Sequence, residues 1–302
     1  MRWFGWFRKK PASAEAVGSS VAMIGGRLRK VGIPYALPAD LEEQNRLDFQ
    51  HYVLRFTFKG NYAAPLDNPR TILDVGCGTG LWAREMAALF PQAEVTGFDV
   101  NLPPADERGG VAYGVPLRPP NYRFQAGNVL EGLPFPDQSF DFVHMRLLVL
   151  AIPHDRWPFV VNELARVARV GGWVESVEAG TLRNGGPATD LIMTWIMSML
   201  AQRGISFPDG GSVGGLMRAA GLANVVAQEA DLPFGPYGGR VGSLLATDFS
   251  NGARAYGGLF EKLGIATVAQ FDQAMAQAAA DTSSAEIRCI SPFFIAYGQR
   301  LG

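Results

Sequence analysis

Asp74, Gly76, Gly78 and Gly80 fall within one short stretch, TILDVGCGTGLW, at 71–82. An acid closing an apolar run, followed by glycines at alternate positions, is the pattern of a strand that ends in a tight turn and enters a helix, a turn suited to a nucleotide-like cofactor. A phosphate-binding P-loop would need Lys followed by Ser or Thr after the glycines, and Leu81-Trp82 stand there instead. A dinucleotide turn, GxGxxG, is met at Gly76 and Gly78, but Leu81 fills its third small position and the extra glycine sits one place early, at Gly80.

That match is partial, and a third reading is S-adenosylmethionine, whose charges the stretch suits. This ligand has no pyrophosphate; it carries an amino-acid moiety whose ammonium needs an acceptor near the turn, and Asp74 stands immediately before it. Asp99, at the end of GFDV, can accept both ribose hydroxyls, as it could in a dinucleotide enzyme. Asn128 can pair with the adenine amino edge while Val129 packs on the ring. The candidate cofactor residues are thus Asp74, Gly76, Cys77, Gly78, Gly80, Asp99, Val100, Asn128 and Val129.

Transfer of a methyl group that is already activated asks the protein mainly to position the acceptor, with a base needed only where the acceptor loses a proton. His144 and Arg146 close a fourth apolar run, at the edge where open α/β sheets hold ligands. His144 is the first candidate for base or acceptor orientation, with a hydrogen-bonded structural histidine as the equal alternative. Arg146 would bind an acceptor carboxylate or pair with a nearby acid. In IPHDRW, His154 marks a helix start with Asp155 as its cap, and His51 and Tyr52 belong to a helix packed on the sheet. Glu175 and Glu178, three apart in a strand, point to opposite faces and form no carboxylate pair.

The elements that must position these residues alternate. Strands are expected at 70–75, 93–100, 122–128, 140–148, 173–180, 224–230 and 287–300. Helices are expected at 40–58, 81–90, 157–170 (closed by Gly171 and Gly172), 188–203, 213–220 and within 240–280. This predicts an α/β fold, a parallel seven-stranded sheet with helices on both faces. Asp40 suits the cap of the first helix, Glu42 and Glu43 its first turn, and Gly60 its end. The long irregular segment at 101–121 is of the kind that is functional or mobile. DLIMTWIMSML, at 190–200, is apolar nearly all round: core, an adaptable wall for a hydrophobic acceptor, or a homodimer contact.

The chain has 302 residues with 27 basic and 28 acidic side chains, so no nucleic-acid partner is expected and a small-molecule acceptor is the default. Two distant cysteines, Cys77 and Cys289, make neither a disulfide framework nor a zinc site; no metal is expected, and a reducing, cytoplasmic setting is. MRWFGWFRKK sets Trp3, Phe4 and Phe7 beside four basic residues, the composition of a short interfacial anchor in peripheral contact with a membrane, or of a frayed tail. The expected organisation is a flexible segment at 1–34, a helical cap at 35–60 and one α/β domain at 61–302.

In their order, LDVGCGTG, GFDV, GNVLEGLPFPDQSFDFV and VARVGGWVESVE resemble the motifs of class I methyltransferases over about 70–178. YALPADLEEQNRLDFQHYVLRF, APL, GTGLWAREMA, FVHMR and GGWVESVE narrow the resemblance to the LaeA-like methyltransferases of secondary metabolism, over about 35–178. The resemblance implies a Rossmann-like seven-stranded class I methyltransferase sheet with an N-terminal helical extension, S-adenosyl-L-methionine as cofactor, and methyl transfer to a small, hydrophobic metabolite, O- or N-methylation ahead of C-methylation. It also implies an alternative, a cofactor-binding regulator acting through a protein partner. The family's third motif commonly ends in Asp; Asn128 keeps an acceptor there and adds a donor.

Overall fold

The computed structural model describes residues 21–24, 27–31, 37–38, 40–100, 111–112, 115–116, 119–205, 210–284 and 286–302. Short apolar, β-branched runs give seven strands of one sheet: β1 (Thr71–Val75), β2 (Glu94–Asp99), β3 (Tyr122–Ala126), β4 (Phe140–Arg146), β5 (Ala168–Ala179), β6 (Ala223–Pro233) and β7 (Ile290–Gln299). Their order is β3-β2-β1-β4-β5-β7-β6. Strand β1 lies near the middle with Ile72, Leu73 and Val75 at 0% exposure, which is why its sequence is apolar without alternation. The order turns back between β1 and β4, and that switch opens a crevice at the carboxyl ends of the strands.

Strands β1 to β5 pair in parallel, but β7 is antiparallel to both β5 and β6. The expectation of a wholly parallel sheet is corrected here. The chain leaves β6 at the carboxyl edge, builds its next helices there, and re-enters the sheet from the same edge, so the last strand must run backwards.

The helices are α1 (Leu41–Phe58), α2 (Leu81–Leu89), α3 (Trp157–Val167), α4 (Pro187–Ala201), α5 (Gly210–Ala219), α6 (Gly239–Arg254), α7 (Gly257–Lys262) and α8 (Val268–Ser283). One core, with Leu73, Val75, Val143 and Met145 from the sheet, includes residues of α3 and α5. On the other face Ile72, Val95 and Phe142 pack against Trp82, Ala83 and Met86 of α2. A third core gathers α1, α4 and α6 to α8 around Val177, Phe293 and Ile295.

Asp40 caps α1 by accepting the Glu43 N–H at 3.1 Å, as the spacing predicts. The helix closes on Lys59, in the left-handed region at φ 57°, rather than on Gly60. Helix α3 ends at Val167, short of 170, because Ala168 already pairs with Phe140 and carries Gly171 and Gly172 into β5. Asp155 caps nothing: it sits in a 3-10 turn, His154–Arg156, that follows Pro153 and is held by the His154 N–H on the Gly204 carbonyl.

Within the expected N-terminal lead-in, Val21–Ile24 and Arg27–Lys30 pair as an antiparallel ribbon. The aromatic start at 1–10 and its expected membrane contact lie outside the described residues, as does most of the irregular segment at 101–121. No helix among the described residues is long and apolar enough to cross a membrane.

Candidate functional site

A cavity of about 590 Å³ occupies the crevice, running from the glycine turn to the apolar faces of α4 and α6. Eight of the nine expected cofactor residues line it: Asp74, Gly76, Cys77, Gly78, Asp99, Val100, Asn128 and Val129. The ninth, Gly80, lies outside the lining. It starts α2 at φ 75°, where a side chain would strike the Tyr122 hydroxyl at 2.5 Å, so its glycine is required by the turn itself. Gly76, at φ 72°, has the Leu148 side chain 2.5 Å from where a Cβ would stand.

The turn is fastened to β2. The N–H groups of Gly76 and Cys77 both donate to the Phe98 carbonyl, and the Gly78 N–H donates to Asp99 Oδ2 at 2.8 Å. The carboxylate expected to meet a ribose is thereby held against the glycines. Asn128 is also engaged: its Oδ1 accepts the Leu130 N–H at 3.0 Å and its amide donates to Glu131 at 3.2 Å, capping the short turn Val129–Glu131. Burial raises the Cys77 thiol well above its ordinary pKa, with Asp99 and Asp74 adding to the effect, so it is protonated at neutral pH.

Asp74, His144 and Glu175 share one rung across β1, β4 and β5 and therefore one face of the sheet. The His144 Nδ1–H donates to Asp74 Oδ1 at 3.0 Å, and its ring stacks on Trp82 with centroids 3.8 Å apart and planes within 5°. His144 is 1% exposed and its Nε2 is buried without a hydrogen bond. Asp74 Oδ2 is likewise buried and unbonded. Glu175 Oε2 accepts the N–H groups of Ala63 and Ala64, both at 2.7 Å, and burial raises its pKa.

Two residues further toward the edge and on the same face, Arg146 lines the cavity. An Arg146 N–H donates to His51 Nδ1 on α1 at 3.0 Å, which leaves the ring proton on Nε2, 3.0 Å from Glu85 Oε2 of α2. Glu85 also meets Arg55 and Asn61. Burial is the main reason that the His51 pKa is lowered, in keeping with a neutral ring. Burial also lowers that of Arg146, against the opposing pull of Asp74, Glu85 and Glu175.

After β4 the chain turns sharply at Leu147, a non-glycine residue at φ 57°. Glu178, on the opposite face from Glu175, accepts the next two N–H groups, from Leu148 at 3.2 Å and Val149 at 2.9 Å. Burial raises its pKa to about 8.

Beyond the glycine turn the cavity becomes apolar, walled by Leu150, Leu182, Met193, Ile196, Phe249 and Phe293. Met193 and Ile196 come from α4, the helix whose all-round apolar sequence left core, binding wall and dimer contact open; both belong to a hydrophobic core and also line the cavity. Set into this wall, Arg46 of α1 pairs bidentately with Glu43 and reaches Asp248 of α6 at 3.0 Å, which also accepts from Gln50 at 2.8 Å. The sequence reading missed this network. The i, i+3 pair of Glu43 and Arg46 was a local signal, whereas nothing local marks Asp248. Among the described residues no group of His, Cys, Asp and Glu is arranged to hold a metal ion.

The pattern of a family described as "Methyltransferase domain" matches residues 41–227. Methyltransferase str2 of Strobilurus tenacellus is 39% identical over 143 residues, 47% of either chain. Secondary metabolism regulator LAE1 of Cochliobolus heterostrophus is 33% identical over 153 residues, 48% of this chain and 45% of that protein. The matches thus span a little under half of these relatives. The fold is similar to that of Haemonchus contortus phosphoethanolamine N-methyltransferase 2, solved with S-adenosyl-L-methionine, at a TM-score of 0.51 and 15% identity over 88% of this chain and 54% of that one.

Proposed function

The chain belongs to the methyltransferase domain family, and from that premise we propose that it is an S-adenosylmethionine-dependent methyltransferase acting on a small, hydrophobic metabolite, with oxygen or nitrogen as acceptor atom. The observation that carries this reading is the single cavity of about 590 Å³ that joins the glycine turn, Asp99 and Asn128 to an apolar chamber. Its size suits two small molecules lying end to end.

The residues fit the cofactor. Asp74 Oδ2 is a buried acceptor with no protein donor, suited to an ammonium. Gly76 and Gly78 line the cavity without side chains of their own, and Asp99 stands at the end of the neighbouring strand, where it could accept a diol. Asn128 and Val129 border the place left for adenine, Asn128 with one amide hydrogen and one lone pair beyond those its cap uses. When bound, the cofactor supplies an electrophilic methyl on a sulfonium.

The protein's part is to hold, orient and exclude water. The apolar wall sequesters the acceptor, and bringing donor and acceptor into line is a large share of the rate enhancement. His144 orients Asp74 through the 3.0 Å hydrogen bond, and Arg146 supplies a cation at the junction of the two halves. A second reading, a cofactor-binding regulator that works through a partner, is favoured by the similarity to LAE1.

Calorimetry with S-adenosylhomocysteine tests the cofactor assignment. Wild type is expected to bind, and Asp99→Ala to bind at least tenfold more weakly; undiminished binding by the variant would sink it. Consumption of S-adenosylmethionine with a panel of apolar alcohols and amines supports the enzyme, and a stable protein partner without turnover supports the regulator.

A further inference from the structure

We propose that Arg146 is the anchor for the carboxylate at the amino-acid end of the bound cofactor, working with Asp74 as the two halves of a clamp for a zwitterion. The proposal rests on the cofactor reading above. Four strand ends lie side by side in the order β3, β2, β1, β4. Asn128 follows β3, Asp99 ends β2, Asp74 precedes the turn after β1, and Arg146 ends β4. A ligand whose base lies by Asn128 and whose ribose lies by Asp99 points its remaining end past the glycine turn toward β4. That end carries an ammonium and a carboxylate on a single carbon.

The two protein groups there have matching charge and spare capacity. Asp74 uses Oδ1 on His144 and leaves Oδ2 buried and unbonded. Arg146 has five N–H donors and, among the described residues, one hydrogen bond, to a neutral acceptor, His51 Nδ1. Its charge is flanked by Asp74, Glu85 and Glu175, yet none of these carboxylates takes a hydrogen bond from it. A partly buried guanidinium with unspent donors facing a cavity is suited to a planar, bidentate anion. Asp74 and His144 share a rung, and Arg146 is two residues on, on the same face. The Cα positions of Asp74 and Arg146 are therefore about 7 Å apart along the strand direction, a spacing within reach of both substituents of one carbon.

His51 gives the clamp its setting. It comes from α1, accepts from Arg146, and contacts Glu85 through its other nitrogen, so the helix over the cavity fixes where the guanidinium points. Arg146 is thus a binding residue and His51 a positioning one.

The test compares two ligands on two proteins by calorimetry: S-adenosylhomocysteine and its decarboxylated counterpart, S-adenosyl-3-thiopropylamine, against wild type and Arg146→Gln. Removing the carboxylate is expected to weaken binding to wild type at least tenfold and binding to Arg146→Gln less than twofold. Arg146→Lys, which keeps the charge but loses the fork, should fall between. Equal losses in wild type and Arg146→Gln overturn the proposal, and so does a wild type indifferent to the carboxylate. Wild type that binds neither ligand removes the cofactor reading itself. Should Arg146→Gln fail to fold, the wild-type and Arg146→Lys arms still decide.

Discussion

Glu178 is fully buried, and its two oxygens accept the N–H groups of Leu148 and Val149, the residues that carry the Leu148 side chain over Gly76. Burial sets its pKa at about 8 against an ordinary 4.5, so the folded protein holds a proton there that the unfolded chain has lost. The stability it contributes is therefore complete below about pH 4.5 and is lost as pH rises through about 8. The slope is about 1.4 kcal/mol per pH unit for one proton. Glu178→Gln does not titrate, and its carboxamide oxygen can accept only one of the two N–H groups, so it should melt below wild type at every pH but should lack this part of the decline between pH 5 and 8. Thermal melts of both proteins across that range measure it, and parallel curves would show that the carboxyl is ionised in the fold.

At the scale of elements, α1 is the piece that closes the cavity, and it is tied down by polar contacts as well as by Val53 and Leu54. Its His51 is held neutral by burial, so its folded pKa lies below the ordinary 6.5. The unfolded chain takes up the proton first as pH falls, and stability drops below about pH 6.5, by at most about 1.4 kcal/mol per unit. His51→Gln can still accept from Arg146 and does not titrate. It should flatten the fall in melting temperature between pH 7 and 5.5; an unchanged pH profile would mean that His51 takes up its proton equally in the folded and unfolded chain.

What could be read beforehand follows the same division between local and distant. The glycine turn, Asp99 and Asn128 were legible because each is fixed by its place at a strand end, and β1 because a strand buried on both faces leaves an unbroken apolar run. Asp40 as a cap was legible for the same local reason. The direction of β7 was not, since strand pairing is decided by where the chain re-enters the sheet. Nor were the bonds from Arg146 to His51, 95 positions apart, or from Arg46 to Asp248, 202 apart. Asn128 lines the cavity, but its bond to Leu130, a habit of Asn at turn starts, was overlooked.

Across the whole molecule the cavity has two origins. Its polar end comes from β1 to β4 and the turns that follow them, a continuous stretch of chain. Much of its apolar end comes from α4, α6 and β7, with Phe293 contributed by the last strand. Strand β7 also separates β5 from β6, so β6 has no sheet partner until β7 has inserted. Pairings between distant segments form slowly, because the loop entropy is lost before the contact is gained. This sets an order in time. In pulse-labelled hydrogen exchange during refolding, amides of β1 and β4 should gain protection in an earlier phase than those of β6 and β7; protection of β6 first, or of all strands together, would contradict it. By the same order, a newly made chain completes the polar end of the cavity before its apolar end exists.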